Sequence, residues 1–284
     1  MAATVFTWRD LTFTTGEDAA YRLVSVEGWE QLPPARYEKQ NRTRGHGTHP
    51  SPLYAEERVV TLEGRCHSET DRDGLLRALR AAAVSYGFGD STEPLTGVDA
   101  GLTLTAGAQV LRCDPVRGAD GWGIGRFGWI VQFRCPDPLR YGIPATSSTG
   151  LPTAGGGLEY PLEYPLTYGS AGDPGQITLT NSGDAAAPVT FTVTGPLPQG
   201  FEVTTGQYGV TYPVATPDDQ VLAFDTATGT VLLEGTASRR QQLTRADWFT
   251  VPPQSTITLQ FTSLGGAYDP GALLTVVDFR PAYW

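Results

Sequence analysis

From residue 158 onward the chain alternates apolar and polar residues with period two, and this constrains the fold more than any other feature of the sequence. The pattern is carried by Ile177-Thr178-Leu179-Thr180, Val189-Thr190-Phe191-Thr192-Val193-Thr194, Gln220–Asp225, Thr230-Val231-Leu232-Leu233-Glu234, Thr256–Thr262 and a last run, Leu273–Phe279. Successive side chains of a strand point to opposite faces, so such runs bury one face and leave a threonine face to solvent. Asn181-Ser182-Gly183-Asp184 and Asp225-Thr226-Ala227-Thr228-Gly229-Thr230 supply turns between them. No helical period occurs after residue 157, and the pattern predicts a sandwich of antiparallel sheets over 158–284.

The first half reads differently. Thr4–Phe13, Ala20–Trp29, Arg58–Arg65 and Arg126–Arg134 are strand-like, and Leu102–Thr105 with Ala108–Arg112 suggests a hairpin around Gly107. Ser68–Tyr86 has leucines and alanines at helical spacing, with Ser68 or Thr70 as cap and Gly87 as stop. One helix with several strands makes 1–141 an α+β module. Arg42–Pro52, with two glycines and two prolines, is an exposed loop. Residues 142–157 carry no charge and are mostly Gly, Pro, Ser, Thr and Ala, the composition of a linker. The closing strand and its aromatic pair, Tyr283-Trp284, predict a chain end tied into a sheet. The fold class is therefore mainly β.

Charge separates the same two regions. Of the net −10, residues 1–141 contribute −2 (16 basic, 18 acidic) and residues 142–284 contribute −8 (4 basic, 12 acidic). Neither region is basic overall, which argues against general nucleic-acid binding. Three cysteines without a Cys-x-x-Cys pair predict free thiols and synthesis in a reducing compartment. The start of the chain does not read as a signal peptide, and no stretch has the length of a membrane-spanning helix, so a soluble protein is expected.

Motifs for chemistry are sparse. Gly121-Trp122-Gly123-Ile124-Gly125 resembles a phosphate loop but precedes a strand rather than a helix, and reads as a hairpin loop. Cys66-His67, Cys113 and Cys135 lack paired zinc-ligand spacing and read as buried small residues. His46 and His49 lie in the glycine loop and read as contacts to a partner chain. Asp218-Asp219 and Glu56-Glu57 read as solvated charges rather than a glycosidase pair. Trp122, Trp129, Trp248, Tyr208 and Tyr212 offer aromatic surface for a sugar, although core or interface positions are the commoner use. No catalytic, cofactor-binding or metal-ligating residue is assigned, and no enzyme is expected.

Several segments together resemble a known family. Arg44-Gly45-His46-Gly47, the proline-rich gap, Arg58-Val59-Val60-Thr61-Leu62-Glu63-Gly64 and the following helix are similar to the first domain of the distal tail proteins of long-tailed, non-contractile bacteriophages. Leu179–Asp184 with Pro188–Pro196, the hairpin Phe224–Val231, Asp247-Trp248-Phe249, Val251-Pro252-Pro253 and Asp278–Trp284 resemble the second. One departure is Pro253-Gln254, where the resemblance leads one to expect Pro-Gly. The resemblance implies a ring-forming first domain (1–141), a linker (142–157) and a galectin-like sandwich (158–284). It implies a homo-hexamer between the tail-tube ring above and the tail-tip hub below, around the C-terminus of the tape-measure protein. Its place would be the virion tail tip, after assembly in the host bacterial cytoplasm, with no membrane contact and no specific nucleic-acid binding, the genome passing through the channel. The sandwich has no histidine, so galectin-type sugar binding is not expected. Arg42, Arg44, His46 and Arg58, from the glycine loop and the strand after it, are the expected subunit contacts. The rival reading is a carbohydrate-binding or host-adhesion module on the same tail tip.

Overall fold

The computed structural model describes residues 3–17, 19–67, 71–83, 92–99, 101–116, 126–153, 172–266 and 271–284. The fold is mainly β, with one α-helix among these residues. The chain divides into two compact units, Met1–Ile143 with Tyr283–Trp284, and Pro144–Ala282.

The first unit contains β1 (Val5–Trp8), β2 (Leu11–Thr14), β3 (Tyr21–Glu27), β4 (Ala35–Arg36), β5 (Tyr54–Ala55), β6 (Arg58–His67), α1 (Arg72–Ala83), β7 (Glu93–Asp99), β8 (Leu102–Val116), β9 (Arg126–Cys135) and β10 (Arg140–Tyr141). Its main sheet runs β10-β8-β7-β1-β2-β3-β6-β9 and closes because β8 has two partners in succession. Residues 102–108 of β8 pair with β7, and residues 109–116 pair with β9 after an irregularity between Val110 and Arg112. Bulges of this kind bend a strand enough for a sheet to curl into a barrel. Alternation fills the interior: Phe127, Trp129, Val131, Phe133 and Cys135 of β9 are buried, as are Phe6, Trp8, Phe13 and Tyr21. Phe13 and Trp129 meet at 4.7 Å, and Trp8 and Phe133 at 5.0 Å. Gly64 permits this packing, since a Cβ there would come within 2.2 Å of the Trp129 ring.

Helix α1 buries Leu76 and Leu79 against this core. Asp71 caps it by accepting from the Gly74 amide (3.1 Å), one position beyond the expected Thr70. Ser68, Thr70, Tyr86 and Gly87 lie outside the described residues, as does the Gly121–Gly125 loop. Two barrel side chains satisfy helix carbonyls: Tyr21 Oη donates to Leu75 O (2.6 Å) and Trp8 Nε1 to Ala82 O (3.4 Å). The expected hairpin around Gly107 is corrected. Gly107 lies inside β8 opposite Pro94, and the turn between β7 and β8 passes through Gly101 at φ 85°. Two short alternating runs separated by a glycine read as a hairpin, but the register continues through Gly107 without a break.

The second unit holds β11 (Ala145–Gly150), β12 (Gln176–Asn181), β13 (Thr190–Thr194), β14 (Phe201–Thr205), β15 (Tyr208–Tyr212), β16 (Val221–Asp225), β17 (Thr230–Leu233), β18 (Ala237–Ser238), a 3-10 turn at Arg240–Gln242, β19 (Arg245–Ala246), β20 (Ser255–Ser263) and β21 (Leu273–Phe279). They form two antiparallel sheets, β11-β21-β13-β16-β17-β18 and β12-β20-β14-β15-β19. Phe201 of one sheet meets Phe224 of the other edge to face at 5.8 Å, and Phe191, Val203, Phe261 and Val276 complete a dry interior. Part of the stretch expected to be a linker is a strand: Ala145–Gly150 pairs along β21. As an edge strand with one buried side chain, Thr149, it lacks the apolar alternation that marks the others. A last short strand, β22 (Ala282–Tyr283), joins the first unit's sheet beside β10.

Candidate subunit-contact surface

Between β3 and β6 the chain builds an arm, and its outer part, Arg42–Pro52, is the expected exposed loop. Its root is closed by Glu56 N donating to Pro34 O (2.8 Å) and by the β4–β5 pair. Further out, His49 N donates to Gln40 O (2.9 Å), Asn41 bridges Thr48, and Arg42 N donates to Gly47 O (3.2 Å). Gly45 and Gly47 turn the tip with φ of 107° and 91°. Arg42, Arg44 and His46 are exposed at this tip, and His49 is exposed beside them.

The arm also exposes apolar side chains: Leu32, Tyr37, Leu53 (69% exposed) and Tyr54 (60%). They were not singled out in the sequence. The usable signal was length, because the interval from Glu30 to Glu57 far exceeds the roughly 12–15 residues above which a structureless loop becomes uncommon.

The structure moves Arg58 from the surface to the interior. It is 1% exposed, and the Nη1 and Nε of its guanidinium donate to backbone carbonyls, while Nη2 is buried without a hydrogen-bond partner. Nη1 donates to Gly28 O (2.8 Å), Trp29 O (2.9 Å) and Gln31 O (2.6 Å), while Nε donates to Pro138 O (2.9 Å). Burial, and then the nearby Arg140 charge, pull its pKa down to about 10. Arg140 lies over the Trp29 ring at 5.6 Å and donates to Trp284 O. Arg58 therefore fixes where the arm leaves the barrel. The residue at the start of a strand looked exposed in sequence, but its side chain follows the inward parity of Val60 and Leu62.

The remaining candidates separate. Cys66 and Cys135 are barrel-core residues, and burial pushes both thiols up to about 11. No group of three His, Cys, Asp or Glu among the described residues is placed to hold a metal ion. Asp218, Asp219 and Glu56 are exposed, while Glu57 pairs with Arg134. Trp129 and Tyr212 are interior, Trp248 is half-buried under Arg240, and Tyr208 is exposed, so these aromatics form no common platform. Trp122 lies outside the described residues.

No protein-family model matches the chain, and no curated protein matches it in sequence. Solved structures do. The SPP1 Dit (gp 19.1) protein, described as a paradigm of the hub adsorption apparatus in phages infecting Gram-positive hosts, aligns over 98% of this chain and 99% of its own, with a TM-score of 0.63 and 12% identity. A chain of the phage P2 baseplate in its activated conformation with Ca aligns over 97% and 98%, with a TM-score of 0.47 and 10% identity. At such identity the likeness is one of fold: nearly end to end, this chain has the fold of the SPP1 Dit protein.

Proposed function

We propose that the protein is a structural, non-enzymatic component of a phage tail tip, a hexameric ring joining the tail tube to the hub. The observation that carries this reading is the fold shared with the SPP1 Dit protein across both units. The arm supports it. A ring closes through heterologous contacts, in which one patch of each copy meets a different patch of the next. A projecting hairpin with two unpaired edges, exposed leucines and tyrosines, and a basic tip is suited to such a contact. In this reading the first unit forms the ring around the tape-measure C-terminus, and assembly occurs in the host cytoplasm.

The test replaces Arg42, Arg44 and His46 together with alanine. All three are exposed, so the monomer keeps its fold. Tail completion should fail in a phage carrying this variant, and normal tails would sink the assignment of the arm tip as a contact. The glycan-binding rival requires several aromatic rings on an exposed sheet face; the sandwich places Phe191, Phe201, Phe224 and Phe261 inside and, among the described residues, exposes Tyr208 on β15.

A further inference from the structure

The barrel has a gap in its wall, and one end of the gap is cationic. β3 pairs along its length with β6, from Tyr21↔Cys66 to Glu27↔Thr61, with a bulge at Val24. On its other side it pairs with β2 only at Tyr21 and Arg22, and Leu23–Glu27 have no strand partner there among the described residues. Beside this open edge lies a notch of about 210 Å³ with the buried Phe6, Leu23 and Trp29 as its apolar floor. A second hollow of about 390 Å³ adjoins it: Thr15, Leu23 and Val24 line both, and Arg22 and Arg65 complete the second. These two arginines stand directly opposite each other on β3 and β6, both exposed on the outer face. Like charges in that relation destabilise a sheet. Arg22 reaches Glu17 at 3.9 Å, a residue whose side chain is 88% exposed, and Arg65 makes no hydrogen bond or ion pair among the described residues. Thr15 Oγ1 accepts from Thr4 N (3.2 Å), which leaves its hydroxyl proton to donate. Two guanidiniums and a hydroxyl around one hollow are the donors that an oxyanion needs.

We propose that this groove binds an extended segment of a partner protein that carries an acidic side chain next to an apolar one. The segment's backbone pairs with the free edge of β3, which from Leu23 to Glu27 spans roughly 16 Å at about 3.3 Å per residue. Successive side chains of a strand point to opposite faces. One therefore enters the apolar notch, and its neighbour lies on the outer face, where Arg22 and Arg65 stand. Charge selects this class of occupant. A nucleic-acid backbone would bring a run of phosphates to Glu30, which lines the notch, and to Glu63, which accepts from Ser25 Oγ (3.3 Å) at its wall, and would make no use of the apolar floor. The arm of another copy is basic, with Arg36, Lys39, Arg42 and Arg44 against Glu38, and would meet the arginine pair with like charge. A single carboxylate beside an apolar side chain fits both hollows. The like-charged pair then serves binding at some expense of stability. The proposal does not rest on the ring reading, since neither a copy of this chain nor six-fold symmetry enters it.

The experiment selects binders to the full chain from a displayed library of random linear peptides, and measures the affinity of the selected peptides by fluorescence polarisation. The expected peptides share an Asp or Glu adjacent to a Val, Leu, Ile or Phe. Arg22→Glu combined with Arg65→Glu should weaken them about tenfold or more. The same selection repeated on that variant should return Lys or Arg in place of the acid, with the apolar neighbour kept. Both sites are exposed, so the variant folds, and Arg65→Ala alone should keep or raise the melting temperature because it relieves the cross-strand repulsion. Selected peptides without the acidic–apolar pair, or peptides whose affinity survives the double reversal, overturn the proposal. A clear fall in melting temperature with Arg65→Ala overturns it too, by showing that the arginine pair holds the fold. A duplex oligonucleotide that displaces the peptides, and whose binding the double reversal abolishes, assigns the hollow to nucleic acid instead.

Discussion

The two units solve the problem of unpaired strand edges in opposite ways. The sandwich ends each sheet on one side in a two-residue strand, β18 or β19, and on the other in a six-residue strand, β11 or β12, and it seals its interior with a buried asparagine. Asn181 Nδ2 donates to Ala185 O, Val251 O and Pro252 O, and Oδ1 accepts from Gly183 N and Ala282 N, so one side chain satisfies five backbone groups where three segments meet. The barrel closes through the bent β8 but keeps an open edge at β3 and extends an arm whose groups have few partners within the chain. Buried polar groups that find partners at home mark a self-sufficient fold, and exposed apolar and edge groups mark a surface with room for a partner. The charge division follows the same line, with 16 of the 20 basic residues in 1–141.

The largest way to break this comparison is Asn181→Ala. It strands several buried amides and carbonyls, at roughly 1–3 kcal/mol each before relaxation, so a loss of about 3–5 kcal/mol is expected. Denaturant titration should show this loss in the second unit only, and an equal shift of the first would mean that the units do not unfold separately. Next in size is Arg58→Met, which removes the donors to four backbone carbonyls at the arm root. Replacing a buried charge recovers some desolvation, so a net loss of about 2–3 kcal/mol is expected in the first unit. Unchanged monomer stability with failed assembly would instead return Arg58 to the subunit interface.

Alkaline pH should sharpen the contrast further. Burial raises Cys66 and Cys135 to about 11 from 9.0 and Tyr21 to about 12 from 10.0. The folded barrel holds these protons after the unfolded chain has lost them, so stability is full below pH 9 and falls as pH rises through 11 and 12. Arg58, lowered from 12.5 to about 10, acts in the opposite sense above pH 10 and offsets part of the loss. Urea midpoints of the first unit should therefore fall between pH 9 and 11, and those of the second should change less. A steeper fall in the second unit would contradict the assignment of these groups to the barrel core. The smallest effect is expected from Gln254→Gly. Gln254 occupies the left-handed region (φ 50°) where the resemblance led one to expect glycine, and Nε2 donates to Ser182 O (2.5 Å) and Gly183 O (3.2 Å). Relief of strain and loss of these bonds oppose each other, so the change should stay within about 1 kcal/mol.

What was legible in the sequence follows the same physical division. Burial on one face writes itself into alternation, so β12, β13, β16, β17, β20 and β21 were readable from threonine and leucine alone. β11 was not, because an edge strand with one buried residue has no alternation to show. The continuous β8 was hidden by Gly107, and barrel closure by a bulge that leaves no mark on composition. In the candidate surface, the exposed turn that carries Arg42, Arg44 and His46 was legible because glycines mark it. Arg58 was misplaced because its burial depends on carbonyls at positions 28, 29, 31 and 138, which local sequence does not bring together.

The most direct test of the account is negative-stain electron microscopy of the purified protein at high concentration, alone and mixed with the tail-tube and hub proteins of the same phage. The account predicts six-fold rings with a central channel, lost when Arg42, Arg44 and His46 are replaced by alanine. Compact monomers in both preparations would contradict it.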